Sequence, residues 1–175
     1  MDFRDIKEFL IDTAKYILTA AVVIFVIMYV VTIQQVVGPS MSTTLNSEDI
    51  VLLSRSHYRL FDMKRFDIIA FEYDDTKYLI KRVIGMPGDK VEYKNNHLYI
   101  NGQLVKEEFI SSQKTEDFSL TSLGYETIPN DKYLVLGDNR ENSLDSREIG
   151  LVDEKDILGK VSIKIWPIFE IKLIK

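Results

Sequence analysis

Residues Tyr16–Ile33 read YILTAAVVIFVIMYVVTI, a run of eighteen without a charged side chain, and no other feature of the sequence limits the possible folds so strongly. As an α-helix rising 1.5 Å per residue, the run spans about 27 Å, close to the ~30 Å hydrocarbon core of a bilayer. A helix apolar on every side needs either lipid or a large protein around it, and a chain of 175 residues is too small to enclose it. The sequence therefore predicts a membrane anchor over 16–33, a short segment 1–15 before it and a folded domain over 34–175. A cleaved export signal fits less well. Its apolar core is typically ~7–15 residues and ends at a small-x-small site, whereas this run continues into Gln34-Gln35-Val36-Val37. Arg4, Lys7 and Lys15 precede the run and the next basic residue is Arg55. That asymmetry puts the N-terminus in the cytoplasm and residues 34–175 outside it.

The remaining composition removes several classes of function. The chain has no cysteine, which excludes disulfides, thiolate zinc sites and cysteine nucleophiles. His57 and His97 are its two histidines, too few for a multi-histidine metal centre. A net charge of −5 with no Lys/Arg block argues against a nucleic-acid partner held by phosphate neutralisation. Beyond the apolar run the signals are those of β-structure. Short apolar stretches occur at Asp49–Ser54, Asp67–Tyr73, Tyr78–Met86, Tyr133–Leu136, Val161–Trp166 and Phe169–Leu173. Val91–Tyr93 and His97–Ile100 flank Asn95-Asn96, and Asn101-Gly102 follows, which predicts a hairpin or meander. Ser111–Ser122 is polar without a period and reads as an exposed loop. Many short strands without a long amphipathic helix indicate a mainly antiparallel β-domain.

Three places could carry chemistry. Ser40 follows Gly38-Pro39 just past the apolar run. Gly-Pro-Ser alone is a turn, and serine becomes a nucleophile only beside a base. His57 lies in a polar stretch and His97 opens a strand, so neither suits that role. Lys81 is different. Strand alternation puts it on one face with Leu79 and Val83, and Arg82 on the other with Ile80 and Ile84. Burial there would lower a lysine from ~10.4 and release the neutral amine; a lysine snorkelling from a strand edge is the competing reading. The third place is Gly137–Gly150, GDNRENSLDSREIG. It could be a solvated loop, a divalent-metal loop using Asp138, Glu141, Asp145 and Glu148, or a set of internal Asp–Arg pairs that stiffen a site. The spacing matches no EF-hand, and Arg140 and Arg147 would oppose a cation.

Taken in order, Gly38-Pro39-Ser40-Met41-Ser42-Thr43-Thr44-Leu45, Asp49-Ile50-Val51, Lys81-Arg82-Val83-Ile84-Gly85-Met86-Pro87-Gly88-Asp89 and GDNRENSLDSREIG resemble the type I signal peptidases, in the short, single-anchor form of Gram-positive bacteria. The resemblance implies a β-rich catalytic domain in the bacterial cell membrane with a small inserted β-subdomain, here at about 94–131. It also implies a serine endopeptidase that removes signal peptides from exported preproteins, with lipid as its surroundings and no cofactor or metal. Residue by residue, it implies Ser40 as nucleophile, Lys81 as general base and Ser143 as a hydroxyl hydrogen-bonded to Lys81. Asp145 would lie beside the pair, with Asp138, Arg140, Arg147 and Arg82 as ionic support and Met41 shaping a substrate pocket. Two positions depart from the family pattern: Thr43 stands where proline is usual, and Glu48 where glycine is frequent. Gly38 replaces the serine that supplies an oxyanion donor in some relatives. Eukaryotic-type relatives carry histidine in place of Lys81.

Three rival readings compete with this one. Ser111-Ser112-Gln113-Lys114 matches the S-x-x-K of penicillin-recognising enzymes, but the sequence has no later Lys-Thr-Gly. A self-cleaving repressor would share Ser–Lys chemistry but would carry a helix-turn-helix in place of the apolar run. A non-enzymatic membrane-anchored β-domain would need the strands, yet not Ser40, Lys81 and Ser143 together. The charge asymmetry makes a direct prediction: protease added to intact spheroplasts digests residues 34–175. Protection until lysis would reverse the orientation.

Overall fold

The computed structural model describes residues 3–54, 63–74, 76–110 and 114–174. Arg55, His57 and Ser111–Gln113 of the S-x-x-K match lie outside the described residues. Helix α1 (Phe3–Val30) begins well before the apolar run and stops short of its end. Val31-Thr32-Ile33 are all β-branched, which favours extended backbone. They enter β1 (Val31–Gln35), which pairs antiparallel with β2 (Ile50–Ser54), placing Val31 opposite Ser54 and Gln35 opposite Ile50. The expected span over 16–33 is corrected accordingly: its last three residues belong to the sheet. Among the described residues no helix is long and apolar enough to cross a membrane.

The remaining strands are β3 (Ile68–Asp74), β4 (Lys77–Gly85), β5 (Val91–Lys94), β6 (His97–Ile100), β7 (Gln103–Val105), β8 (Phe118–Ser119), β9 (Lys132–Leu136), β10 (Val152–Asp153), β11 (Ile157–Trp166) and β12 (Lys172–Leu173). The expected mainly antiparallel β-domain is what forms. Its larger sheet runs in the order β1-β2-β11-β3-β4-β9-β10, with β12 on β11, and a smaller sheet runs β7-β6-β5-β8. The smaller sheet begins at Val91, ahead of the expected 94, because Val91 and Tyr93 already point inward while Glu92 and Lys94 point out. Its hairpins turn at Asn95-Asn96 and Asn101-Gly102, each with positive φ at both residues, the backbone that two-residue β-turns of right-handed twist require.

Two expectations are revised. Within Ser111–Ser122, Phe118–Ser119 forms β8 against β5, and Leu120 opens a 3₁₀ turn and is fully buried. The few apolar residues of that polar stretch cover the smaller sheet's core, which includes Val91, Tyr93, Leu98 and Ile128. Phe169–Leu173 was expected to be a strand. Instead a 3₁₀ turn occupies Ile168–Glu170 after Pro167, leaving only the two residues of β12 to pair.

Strand β4 is common to three apolar clusters. Ile80 packs with Leu45, Val51 and Val161; Val83 with Ile69, Phe71 and Val135; and Ile84 with the core of the smaller sheet. Each such side chain contributes roughly 1.5–3 kcal/mol on burial. One edge of β4 pairs with β3 from Lys77 to Arg82, whereas β9 takes the other edge only from Arg82 onward. Among the described residues Lys77–Lys81 thus keep one edge outside the ladder.

A buried cation ties the C-terminal strands to the turn before β2. Lys164, on β11, lies 2.8 Å from Asp49 and 2.6 Å from Glu170. Lys164 and Asp49 are buried, whereas Glu170 is exposed. Asp49→Ala would leave the ammonium with only a solvent-facing partner, and stability should fall by about 3 kcal/mol. A lower urea midpoint at unchanged slope is the expected result; an unchanged midpoint would contradict it.

Candidate active site

Ser40 stands in a turn within the connection, residues 36–49, that joins β1 to β2. Gly38 enters it at φ +86°, and the amides of Ser42, Thr44 and Leu45 donate to the carbonyls of Pro39, Met41 and Met41. Met41 and Leu45 are fully buried and pin the turn to the core. Thr43 has φ +126°, outside the φ ≈ −65° to which proline is locked, and its hydroxyl donates to the Phe109 carbonyl at 3.4 Å. The turn is therefore built differently from one carrying proline. Glu48 has φ +74°, the left-handed region in which glycine is the least strained residue.

Lys81 reaches this turn from β4. Its Nζ lies 2.8 Å from Ser40 Oγ and donates to the Ile80 carbonyl at 2.9 Å. The residue is only 2% exposed, and desolvation lowers its pKa to about 8, against the opposing pull of Asp145 and Asp138. Because the folded value lies below the unfolded one, the unfolded chain binds more protons between about pH 8 and 10.5. Stability should rise with pH across that window.

The two carboxylates are each held by an arginine. Arg82, on the opposite face of β4, grips Asp138 through Nε at 2.8 Å and Nη2 at 2.6 Å, both side chains buried. Thr44 Oγ1 donates to the same carboxylate at 2.6 Å, and the guanidinium lies 3.9 Å from the centroid of the Phe109 ring. Asp145 caps the short helix α2 (Ser146–Ile149) and receives Arg147 Nε and Nη2, each at 2.9 Å. Asp145 also accepts the Gly137 amide at 3.0 Å. Arg140 is buried and pairs outside its own loop, with Glu107 at 2.5 Å and with Tyr93 Oη and Thr115 Oγ1 at 2.9 Å. Only Asp145–Arg147 is the internal Asp–Arg pair expected of this loop. Among the described residues no three acidic or histidine side chains converge as a metal site would need.

Gly137 is where these restraints meet. Its amide goes to Asp145 and its carbonyl accepts Arg140 Nε at 3.0 Å. A Cβ there would come within 2.5 Å of the Ser40 carbonyl and collide with Ser143. Asn139 adds to this from the same loop, donating its amide to the Ser40 carbonyl at 3.0 Å and Nδ2 to the Pro39 carbonyl at 3.1 Å. Ser143 departs from expectation. Among the described residues its buried Oγ has no hydrogen-bond partner, so the expected bond to Lys81 is not made; Lys81 Nζ is bonded instead to Ser40 and the Ile80 carbonyl. The sequence reading gives no role at the site to Glu107, Tyr93, Thr115, Asn139, Thr44 or Phe109, although Thr44 and Asn139 lie within the motifs it quotes. The available signal was indirect: a buried arginine demands an anion, and Arg140 finds none within its own loop.

Beside the Ser40–Lys81 pair runs a groove of about 400 Å³, lined by Gln34, Gln35, Val36 and Val37 on one side and Thr76–Lys81 on the other, with Met41 in its wall. Residues 10–166 match the family model described as "Signal peptidase, peptidase S26". The chain belongs to the signal peptidase family. Family membership makes it a serine endopeptidase. It is similar to signal peptidase IB of Staphylococcus aureus (strain COL), 37% identical over 97% of this chain and 94% of that one. It is also similar to signal peptidase I V of Bacillus subtilis (strain 168), 42% identical over 73% of this chain and 82% of that one. The crystal structure of a signal peptidase I from Enterococcus faecalis V583 superposes with a TM-score of 0.54 at 38% identity, covering 58% of this chain and 98% of that chain.

The burial of Lys81 has a measurable cost. Lys81→Met removes an ammonium that is harder to charge in the folded state, while Asp138 and Asp145 keep their arginines. At pH 7 the variant should be more stable by about 2–3 kcal/mol, with the gain vanishing as pH rises past 10.5. Equal or lower stability at pH 7 would show that Lys81 carries no desolvation penalty.

Proposed function

We propose that this chain is a membrane-anchored type I signal peptidase that cleaves signal peptides from exported preproteins with Ser40 as nucleophile and Lys81 as general base. The observation that carries the reading is the buried amine of Lys81, 2.8 Å from Ser40 Oγ and with its pKa lowered to about 8. Neutral Lys81 takes the Ser40 proton as Oγ attacks the scissile carbonyl, and the resulting ammonium protonates the leaving amine. The Ser40 backbone N–H is the proposed oxyanion donor. Water then attacks the acyl-serine as Lys81 accepts its proton; the acyl–Oγ bond breaks, the Lys81 ammonium returns the proton to Oγ, and the new carboxyl end leaves with Ser40 and Lys81 restored.

The groove supports an extended substrate. It lies between β1, at one end of the larger sheet, and the stretch of β4 that β9 leaves without a partner. A peptide strand entering there gains main-chain hydrogen bonds, while alternate side chains meet the walls. With Met41 and Ile80 among its lining residues, the groove would take small side chains before the cut, the preference that the family resemblance implies. The proposed anchor rests on the uncharged run and on α1 itself, where Tyr16, Ile17, Leu18, Ile24 and Phe25 are exposed. Ser40 lies close beyond that helix, so the site would sit at the bilayer surface, where a substrate's own apolar helix ends.

The test is cleavage of a synthetic signal peptide as a function of pH. Log(kcat/KM) should rise on the acid side with an apparent pKa of about 8. Ser40→Ala and Lys81→Arg should both be inactive, since arginine offers no neutral form in this range. Substantial turnover by a folded Lys81→Arg variant with the same profile would remove Lys81 from the role of base.

A further inference from the structure

The ionic support of the site extends into the smaller sheet. Glu107 lies between β7 and β8, outside every motif that carries the family resemblance. Its Oε1 accepts Arg140 Nη2 at 2.5 Å and Tyr93 Oη at 2.8 Å, and Tyr93 in turn accepts Arg140 Nη1 at 2.9 Å. Arg140 and Tyr93 are buried, so the guanidinium has little water to fall back on. With that head group fixed, Nε is aimed at the Gly137 carbonyl at 3.0 Å. Gly137 lies directly against the Ser40 carbonyl, with no room for a side chain between them.

The same segment touches the site twice more. Phe109 covers the guanidinium of Arg82 and meets Phe66 edge-on at 5.1 Å, and its carbonyl accepts the Thr43 hydroxyl. The span 107–109 therefore bears on both arginines behind the dyad and on the turn after Ser40. Neither Glu107 nor Arg140 lines the substrate groove.

We propose that Glu107 is a positioning residue for the reaction: it holds Arg140, Arg140 holds the Gly137 peptide, and Gly137 backs the turn that presents Ser40 to Lys81. The inference rests on the Ser40–Lys81 reading. Its distinguishing consequence is a split between kinetic parameters. Loss of Glu107 loosens the placement of the nucleophile but leaves β1 and β4, which form most of the groove, in place, so kcat falls far more than KM changes. Glutamine keeps an oxygen that accepts from Arg140 and Tyr93 but loses the charge, so it should rescue part of the loss.

The experiment compares the full-length chain with Glu107→Ala, Glu107→Gln, Tyr93→Phe and Ser40→Ala on one synthetic signal peptide, with folding checked by circular dichroism. Glu107→Ala should lose about 100-fold in kcat, the scale of a ~1 Å misplacement, and Glu107→Gln roughly tenfold, both with KM within about twofold of wild type. Tyr93→Phe should lose a few-fold in kcat only. If Glu107→Ala does not fold, the Gln and Phe variants decide. A folded Glu107→Gln with wild-type kcat, or a KM that rises as far as kcat falls, overturns the inference. Cleavage by Ser40→Ala equal to wild type would instead overturn the reading of the site itself.

Discussion

A lysine side chain is seldom buried, because its ammonium loses hydration that the protein interior replaces poorly. Here Lys81 is buried on β4, with Leu79 and Val83 on its strand face, and the rest of the site can be understood as a response to that placement. Without nearby carboxylates, desolvation would depress the amine further. If Asp145 and Asp138 were unshared, they would hold the proton too firmly. Each is instead committed to an arginine, Asp145 to Arg147 and Asp138 to Arg82, which tempers its pull on Lys81. The resulting value of about 8 is the compromise that the proposed base needs: neutral often enough to accept a proton, basic enough to hold it.

The fold delivers these groups by strand alternation. Lys81 and Arg82 are adjacent, so they leave β4 on opposite faces, and both faces are covered by apolar clusters. One side chain reaches the Ser40 turn and the other clamps Asp138 from behind. The loop after β9 closes the arrangement, with the Gly137 peptide held at both its amide and its carbonyl. In this arrangement the smaller sheet does more than enlarge the core. Through Glu107, Tyr93 and Phe109 it reaches the arginines that stand behind the proposed catalytic pair.

Much of this was legible in the sequence. The strands announced themselves by apolar alternation and by Asn-Asn and Asn-Gly turns, and Lys81 stood out as a cation on an apolar face. The missed features share a physical reason: they depend on contacts between segments distant in the chain. β1 was hidden inside an uncharged run, and only its pairing with β2 separates Val31–Ile33 from the helix. Phe118 and Leu120 sit in a stretch that looks solvated until the smaller sheet offers them a core. Glu107 has no local pattern at all, since its partner Arg140 is 33 residues away. The family resemblance implies a hydrogen bond from Ser143 to Lys81, whereas its buried Oγ finds no partner among the described residues.

Burial, moderated by two shared carboxylates, sets the proton affinity of Lys81. The most direct test is to follow the ε-amine of Lys81 by NMR in selectively labelled protein and titrate it in the free enzyme. The expected midpoint is about 8, coinciding with the acid limb of kcat/KM. A midpoint near the 10.4 of free lysine would contradict it, and with it the assignment of Lys81 as the base.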